Sequence, residues 1–253
     1  MSDISTRATR CPDCQIHDTC FASHLTSNRV HGLDMTTSKS IVTLPNEYLF
    51  RAGEETRRLH IVCSGSLKAY RLSPDGREVV LGFFLPGDIV GLSGMSSPTH
   101  SFFAMALETT HTREFTMTEF QRAIKNDPVV AEAAFQSVSS ELDLAQHLLF
   151  VVGHLEAKAR VADFVLSISH RLLRKKGPQS RFKLPMDRRD IANHLGVTTE
   201  TVSRALSQLQ RERLIDVEGK HMRVLDRRAL ERMARPGDQS TTRSVTESSP
   251  PIG

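Results

Sequence analysis

The stretch that decides the fold is residues 187–206, DRRDIANHLGVTTETVSRAL. Asp187 is a good N-cap for a first short helix. Ala192 is small where two helices must cross closely, and Gly196 can take the positive φ that a sharp turn between helices demands. Thr198 then caps a second helix, and the apolar stripe of that helix is Val202, Leu206 and Leu209. Together these residues predict a helix-turn-helix.

The second helix of this motif carries polar side chains suited to reading DNA. Glu200, Ser203 and Arg204 fall at i, i+3 and i+4, so they share one face near the N-terminal end, which is the end that enters the major groove. Arginine can bond guanine and glutamate can accept from cytosine. The alternative is a surface ion pair between Glu200 and Arg204, but the preceding turn favours base reading. We expect Thr198 and Thr199 to contact DNA as well.

A β-hairpin follows the second helix. Residues 214–217 and 221–224 flank Glu218-Gly219-Lys220, a spacing typical of a wing. Lys220 or His221 is expected to touch the phosphate backbone. The distribution of charge also supports DNA binding by this part of the chain. Residues 154–236 hold 19 Lys and Arg against 10 Asp and Glu, whereas residues 1–153 hold 13 Lys and Arg against 17 Asp and Glu. A basic C-terminal third on an acidic body indicates a double-stranded DNA-binding module.

A helix precedes this module after Asp127-Pro128. Its apolar residues alternate at intervals of four and three: Ala131, Phe135, Val138, Leu142, Ala145, Leu149 and Val152. Such a seam favours two helices wound together, and therefore a homodimer. The alternative is one amphipathic helix packed on its own domain.

The region before that helix has the pattern of many short strands. Residues 59–62, 66–72 and 78–84 are β-like runs separated by Gly- and Pro-containing turns, which indicates an antiparallel barrel or jelly roll. The fold class is therefore α+β. The expected domains are a cysteine-containing arm (1–40), a β-roll (41–126), a dimerisation helix (127–153), a winged helix-turn-helix (154–230) and a disordered tail (231–253).

The chain contains no apolar run long enough for a transmembrane helix and begins without a hydrophobic signal region. We therefore expect a cytoplasmic protein with no membrane partner. Three of its four cysteines, Cys11, Cys14 and Cys20, are clustered in the arm, and the fourth is Cys63. In a cytosolic protein, such a cluster suggests metal or redox chemistry before a structural disulfide.

A β-roll, a long helix and a winged helix, in that order, resemble the Crp–Fnr superfamily of bacterial regulators over about residues 11–230. The likeness is strongest to the oxygen-sensing Fnr branch, through residues 85–91 (LPGDIVG), 101–102 (SF) together with 106–109 (ALET), and 200–204 (ETVSR). The resemblance implies a cyclic-nucleotide-binding-like roll and a TTGAT-type half-site repeated as an inverted palindrome. It also implies a contact with RNA polymerase for an activator, for which the turn Asp75–Glu78 is a candidate.

The resemblance also bears on the effector. Residues 100–104, HSFFA, lack the arginine that the cyclic AMP receptors place beside the cyclic phosphate, so cyclic AMP is not expected. The spacing Cys11-x2-Cys14-x5-Cys20 is similar to that of three ligands of a [4Fe–4S] cluster in the Fnr branch. Oxygen would dismantle such a cluster and shift the protein toward a form that does not bind DNA.

The fourth ligand position of that branch falls on Arg113, which cannot ligate iron. Cys63 could replace it. His111 could do so too, since it lies two residues away on the same strand face, as could a carboxylate such as Glu114. Alternatively, the three arm cysteines bind zinc, form a redox disulfide or do nothing.

Two other functions stay open at this point. The chain could be a regulator gated by an apolar effector in the roll, with incidental cysteines. A thiol oxidoreductase using Cys11 and Cys14 is disfavoured, because its motif normally opens a helix in a βαβ context that the arm lacks. No nucleophile–base pair or phosphate-binding loop is present, so we do not expect an enzyme.

Overall fold

The computed structural model describes residues 38–173 and 181–234. Cys11, Cys14 and Cys20 lie outside the described residues, as do most of the predicted arm, the basic stretch 174–180 and the predicted tail from residue 235 onward. The described elements, in chain order, are β1 (Lys39–Thr43), β2 (Tyr48–Phe50), β3 (Arg58–Ser64), β4 (Leu67–Leu72), β5 (Glu78–Phe84), β6 (Ile89–Val90), a 3-10 helix (Leu92–Met95), β7 (Phe103–Ala106), β8 (Thr110–Thr116), α1 (Met117–Asn126), α2 (Pro128–His154), α3 (Ala157–Leu172), β9 (Phe182–Lys183), α4 (Arg188–Leu195), α5 (Thr199–Arg211), β10 (Ile215–Glu218), β11 (His221–Val224) and α6 (Arg227–Ala234).

The first eight strands form the predicted roll. They make two four-stranded antiparallel sheets, ordered β1-β8-β3-β6 and β2-β7-β4-β5. The three runs assigned as strands from sequence are confirmed as β3, β4 and β5. Gly65 turns the chain between β3 and β4 at φ +81°, where a Cβ would lie 2.5 Å from the carbonyl oxygen of Thr109. The core between the sheets contains Phe50, Val62, Leu67, Val90, Ala104 and Ala106.

The outer face of the first sheet is covered by α1 and the start of α2. Leu59, Ile61 and Phe115 pack there against Phe120 of α1 and Val130 of α2, among others. Thr116 caps α1 in a reciprocal capping box with Glu119. Asp127 caps α2 through the backbone N–H of Val129, and Pro128 occupies the first turn, where its missing N–H costs nothing.

The middle of α2 has several exposed apolar side chains. Of the predicted seam, Phe135 is 74 % exposed and Leu149 is 75 % exposed, and Val138 and Leu142 are exposed too. The buried residues of α2 lie toward its two ends and are Val130, Ala133, Ala134 and Val151, and Leu148 packs in part against the cluster that the roll shares with the winged helix. None of the described helices is both long enough and apolar enough to span a membrane.

The C-terminal module is the predicted winged helix, and it packs on the outer face of the second sheet. Tyr70, Val80, Phe83 and Leu85 of the roll belong to the same hydrophobic cluster as the interior of α3, α4 and α5. One correction concerns the tail, which was expected to begin at residue 231. Residues 231–234 complete α6 instead, because Ala234 is buried and Met233 packs against Val151, Leu155 and Ala159.

A buried histidine in the roll makes stability depend on pH. His60 is 6 % exposed, and its Nδ1 lies 3.5 Å from the hydroxyl of Thr112. Burial lowers the pKa of His60 from 6.5 to about 4, against a smaller opposing effect of Glu114. The folded form therefore binds fewer protons than the unfolded chain between these two values, so the stabilisation is complete above pH 6.5 and is lost as the pH falls toward 4.

We expect the free energy of unfolding to fall by about 2 kcal/mol at His60 alone between pH 7.5 and pH 5. His60→Gln should reduce this pH dependence. Part of the pH dependence should remain, because burial also lowers the pKa values of His100 and His194. Urea unfolding at both pH values measures the difference. His221→Gln, at an exposed position of the wing, is the control. An unchanged pH dependence in His60→Gln would contradict the assignment.

Candidate DNA-binding surface

The helix-turn-helix has the local geometry that its sequence predicts. The Asp187 side chain accepts from the backbone N–H of Asp190 at the start of α4. Gly196 ends α4 at φ +65°, a left-handed conformation that most side chains adopt only at a cost. Thr198 then caps α5 by accepting from the N–H of Thr201 at 3.2 Å. The two helices are therefore separated by three residues, of which Gly196 ends the first helix and Thr198 caps the second.

Apolar packing holds the two helices at a fixed angle. Ala192 of α4 is buried at the crossing, and the predicted stripe of α5 is buried as well. That stripe is Val202, Leu206 and Leu209. Since one face of α5 is committed to this core, its opposite face is the one that can approach DNA.

The opposite face of α5 presents the predicted reading residues. Thr198, Thr199, Glu200 and Arg204 are exposed. Glu200 and Arg204, both within the described part of the chain, form no ion pair with each other, so the surface-pair alternative is not what the structure has. Ser203 is half-buried and its hydroxyl donates to the carbonyl of Thr199 at 2.9 Å. Its oxygen lone pairs therefore remain available to accept from a DNA donor.

The same surface continues past the residues that the sequence singled out. A shallow concavity along α5 is lined by Ser203, Arg204, Ser207, Gln210 and Arg211. The last three were missed, although helical spacing could have found them, since Arg204, Ser207 and Arg211 lie at i, i+3 and i+7. Their exposed hydroxyl, amide and guanidinium groups are of the kinds that contact phosphates.

The wing is confirmed as the β10–β11 hairpin, with Gly219 at φ +62° in its turn. Lys220 and His221 are exposed at the tip. A short strand that the sequence analysis missed, β9, pairs with β11, and the N–H of Leu184 donates to the carbonyl of Lys220 at 2.8 Å. The position of the Lys220 backbone is therefore set by a third strand, while its ammonium group stays in solvent.

The candidate fourth cluster ligands lie together on the first sheet. Strand β3 has a bulge at Cys63, where the ladder pairs Val62 with Thr112 and Ser64 with His111. Cys63 and His111 are therefore neighbours on adjacent strands. Cys63 is half-buried, and its thiol donates to the carbonyl of Ile61 at 3.7 Å. Among the described residues, no group of three or more His, Cys, Asp and Glu side chains is arranged to hold a metal ion.

Arg113 and Glu114, at and next to the predicted fourth ligand position, already bind other groups of the chain. Arg113 donates to the carbonyl of Ser38 at 3.1 Å, next to the first residue of β1. Glu114 forms an ion pair with Arg58, and its side chain is only 11 % exposed. Glu114 is therefore a poorer ligand candidate than Cys63 or His111, because binding a metal would cost it this pair.

Residues 100–104 of the roll, which would lie beside a cyclic phosphate by the family resemblance, include no arginine. The structure brings one to them from β4, since Arg71 donates through Nε to the carbonyl of Ser101 at 2.7 Å. Sequence reasoning missed this contact because Arg71 is 30 residues away along the chain. His100 is buried and stacks on Phe50, with 3.5 Å between the ring centroids.

A capped helix-turn-helix with a wing, joined to a β-roll by a long helix, defines a DNA-binding transcription regulator. Comparison with known proteins agrees. Residues 159–233 match the model of a Crp-like helix-turn-helix domain, and residues 42–127 match that of a cyclic nucleotide-binding domain. The chain is 31 % identical over 227 residues to the fumarate and nitrate reduction regulatory protein of Yersinia pestis, covering 90 % of this chain and 91 % of that protein.

A second relative is the transcriptional activator protein Anr of Pseudomonas aeruginosa, 32 % identical over 90 % of this chain and 93 % of its own length. Among solved structures, FixK2 from Bradyrhizobium japonicum superposes with a TM-score of 0.72 at 31 % identity, covering 79 % of this chain and 98 % of that one. The chain belongs to the Crp/Fnr family of transcription regulators. Because this family consists of regulators, the thiol oxidoreductase alternative is wrong.

Base reading by Arg204 has a signature that phosphate contacts lack. Arg204→Ala should weaken binding to a TTGAT-type inverted repeat about tenfold or more and relax discrimination at the guanine, since a bidentate arginine–guanine contact contributes about 1–3 kcal/mol. Lys220→Ala should weaken all sequences alike and reduce the slope of log affinity against log salt by about one per contact. Fluorescence anisotropy with matched and guanine-substituted probes measures both.

Arg122→Ala, at an exposed position of α1, is the control and should bind like the wild type. If Arg204→Ala weakened matched and substituted probes by the same factor, Arg204 would be a phosphate contact and not a reading residue.

Proposed function

We propose that this regulator binds TTGAT-type inverted repeats as a homodimer and responds to oxygen or redox state through an iron–sulfur cluster held by its arm. The observation that carries the DNA-reading part is the outward face of α5, on which Glu200 and Arg204 are exposed and Ser203 is half-buried. Glutamate can select cytosine and arginine can select guanine in the major groove. The relatives named as fumarate and nitrate reduction regulators support the redox part.

The exposed seam of α2 supports the dimer. Phe135, Leu142 and Leu149 are 74, 57 and 75 % exposed on a helix whose ends are both buried, so more than half of each side chain is left uncovered by the described residues of their own chain. A second copy of α2 would cover it with the same heptad pattern. A two-fold pair would then place two α5 helices on one face of DNA, about 34 Å or one turn apart.

Leu142→Lys should convert the dimer to a monomer of 28.2 kDa. The two-fold axis doubles the loss, so removing a leucine worth about 1.5–3 kcal/mol from each helix should weaken dimerisation by roughly 10²–10⁴. Gel filtration with light scattering measures the mass. Leu44→Lys is the matched control, because Leu44 is an equally exposed leucine on the roll, 52 % against 57 %. A Leu142→Lys variant that stays dimeric at micromolar concentration would contradict the seam.

For the cluster, we propose Cys11, Cys14 and Cys20 as three ligands and Cys63 as the fourth. Thiolates are the usual ligands of such clusters, and Cys63 is the described cysteine of the roll. His111, its neighbour across the ladder, is the alternative donor. The fit is chemical, since the first sheet offers a thiol and an imidazole on neighbouring residues of adjacent strands. His111 is three ladder positions from the pair of Lys39 with Glu114, where β1 begins.

When bound, the cluster would supply an oxygen-labile centre tying the arm to the first sheet. The chain's own residues offer a path from there to α2. The outer face of that sheet, through Ile61 and Phe115, packs against Val130 and Ala133 of α2. A tethered arm would therefore act on a sheet that already supports the start of the pairing helix. Loss of the tether would shift the population toward chains that do not pair on DNA.

Protein purified without oxygen should be brown, with about four irons and four acid-labile sulfides per chain. Air should bleach it while binding to the inverted repeat falls. Cys63→Ser should lose the iron, whereas His111→Gln should keep it. The reverse result would assign the fourth ligand to His111. A colourless, iron-free protein that binds DNA equally with and without air would refute the cluster.

A regulator gated by an effector in the roll is the second candidate. It predicts that replacing Cys11, Cys14 and Cys20 together leaves regulation intact.

For activation, we propose that RNA polymerase contacts the turn after β4. Asp75 and Arg77 are exposed there, whereas Glu78 pairs with Lys68, so the proposed surface narrows from residues 75–78 to residues 75–77.

A further inference from the structure

A cluster of charged side chains joins the roll to the helix-turn-helix. Lys68, on β4, places its ammonium 2.8 Å from a carboxylate oxygen of Glu78 and 2.9 Å from one of Asp190. The side chains of Lys68 and Asp190 are 8 % and 12 % exposed. Burial alone would lower the pKa of Lys68, but its hydrogen bonds to Glu78 and Asp190 outweigh this effect and raise it. Lys68 is therefore a fixed cation between β5 and α4.

A second contact is made by the Asn193 side chain of α4 with the free edge of β5. Its Oδ1 accepts from the N–H of Val80 at 2.9 Å, and its Nδ2 donates to the carbonyl of Glu78 at 2.6 Å. Strand β5 is at the edge of its sheet, so among the described residues these backbone groups have no strand partner on that side. The amide takes the place of one, because it offers a donor and an acceptor at the spacing of a neighbouring strand.

Further contacts surround these two. His194 lies with Nδ1 3.3 Å from the carbonyl of Val80, and its ring packs edge-on against Phe83, with 5.3 Å between the centroids. Arg171 of α3 donates to the carbonyl of Phe83 at 2.9 Å and pairs with Asp88. All these contacts use α3 and α4, so the DNA-reading face of α5 is left open. The docked form therefore leaves the predicted reading residues Glu200 and Arg204 accessible.

We propose that Lys68, Asp190 and Asn193 are positioning residues for DNA recognition: they hold the helix-turn-helix in one orientation on the roll, so that both recognition helices of a dimer meet an inverted repeat together. This inference rests on the proposed paired reading. The directional contacts matter because apolar packing alone tolerates sliding, whereas a bidentate amide and a buried ion pair fix rotation and register.

The physical effect is one of effective concentration. Once one half-site is bound, the second recognition helix reaches the other half-site as an intramolecular event, and a module held in the right orientation loses less freedom in doing so. Loosening the docking should therefore weaken binding to two half-sites much more than binding to one. A defect in α5 itself would weaken both by the same factor per half-site.

Asn193→Asp tests this with nearly no change of shape, because it replaces the donor to the carbonyl of Glu78 with an oxygen. Asp190→Asn, which removes the charge facing Lys68, is a second and independent variant. Full-length dimer is titrated at one salt concentration against an inverted-repeat probe and against a probe with one half-site scrambled. We expect the dissociation constant for the inverted repeat to rise about tenfold, and that for the single half-site to change less than about twofold.

Asn126→Asp, the same substitution at an exposed position of α1, is the control and should bind both probes like the wild type. Retained half-site binding shows that each variant is folded. Equal weakening of both probes, no weakening of either, or tighter binding to the inverted repeat would each overturn the inference. A wild-type protein that binds both probes equally would refute paired reading itself, and with it this inference.

Discussion

The outer face of the second sheet is buried against the winged helix, and the orientation of the recognition helix depends on this interface. Phe83 packs edge-on against both Phe164 of α3 and His194 of α4, with ring centroids 5.9 and 5.3 Å apart. Burying an aromatic ring of this size contributes about 1.5–3 kcal/mol. The roll and the DNA-binding module therefore share one hydrophobic cluster. A displacement of the second sheet would move α3 and α4 directly.

Helix α2 connects the roll to the winged helix, and it is buried at its two ends but exposed between them. Its first turns pack on the first sheet and its last turn packs with Leu155 and Met233, yet several apolar side chains between them, among them Phe135 and Leu142, are exposed. An exposed apolar surface of this kind marks an interaction site. The same helix thus receives whatever happens at the first sheet and presents the surface through which two chains would pair.

The departure from the Fnr pattern at Arg113 has a structural consequence. Its guanidinium holds the carbonyl of Ser38 beside the start of β1, so the arginine fastens the end of the arm to β8 by a hydrogen bond. Cys63 lies at a bulge opposite His111 on the same strand pair. Bulges redirect side chains next to functional sites, so the bulge bears on the role proposed for this thiol.

The sequence by itself determined the elements whose signals are local. The caps Asp187 and Thr198, the left-handed Gly196 and the strands β3 to β5 were predicted because caps, turns and alternation depend on neighbours along the chain. The exposure of the α2 seam and the adjacency of Cys63 and His111 were decided only by the tertiary structure. So were the pairing of Lys68 with Asp190, 122 residues apart, and the amide of Asn193 on the edge of β5. The reason is physical: a polar side chain shows no periodicity that reveals its partner, and only folding brings the edge of one strand against one turn of a distant helix.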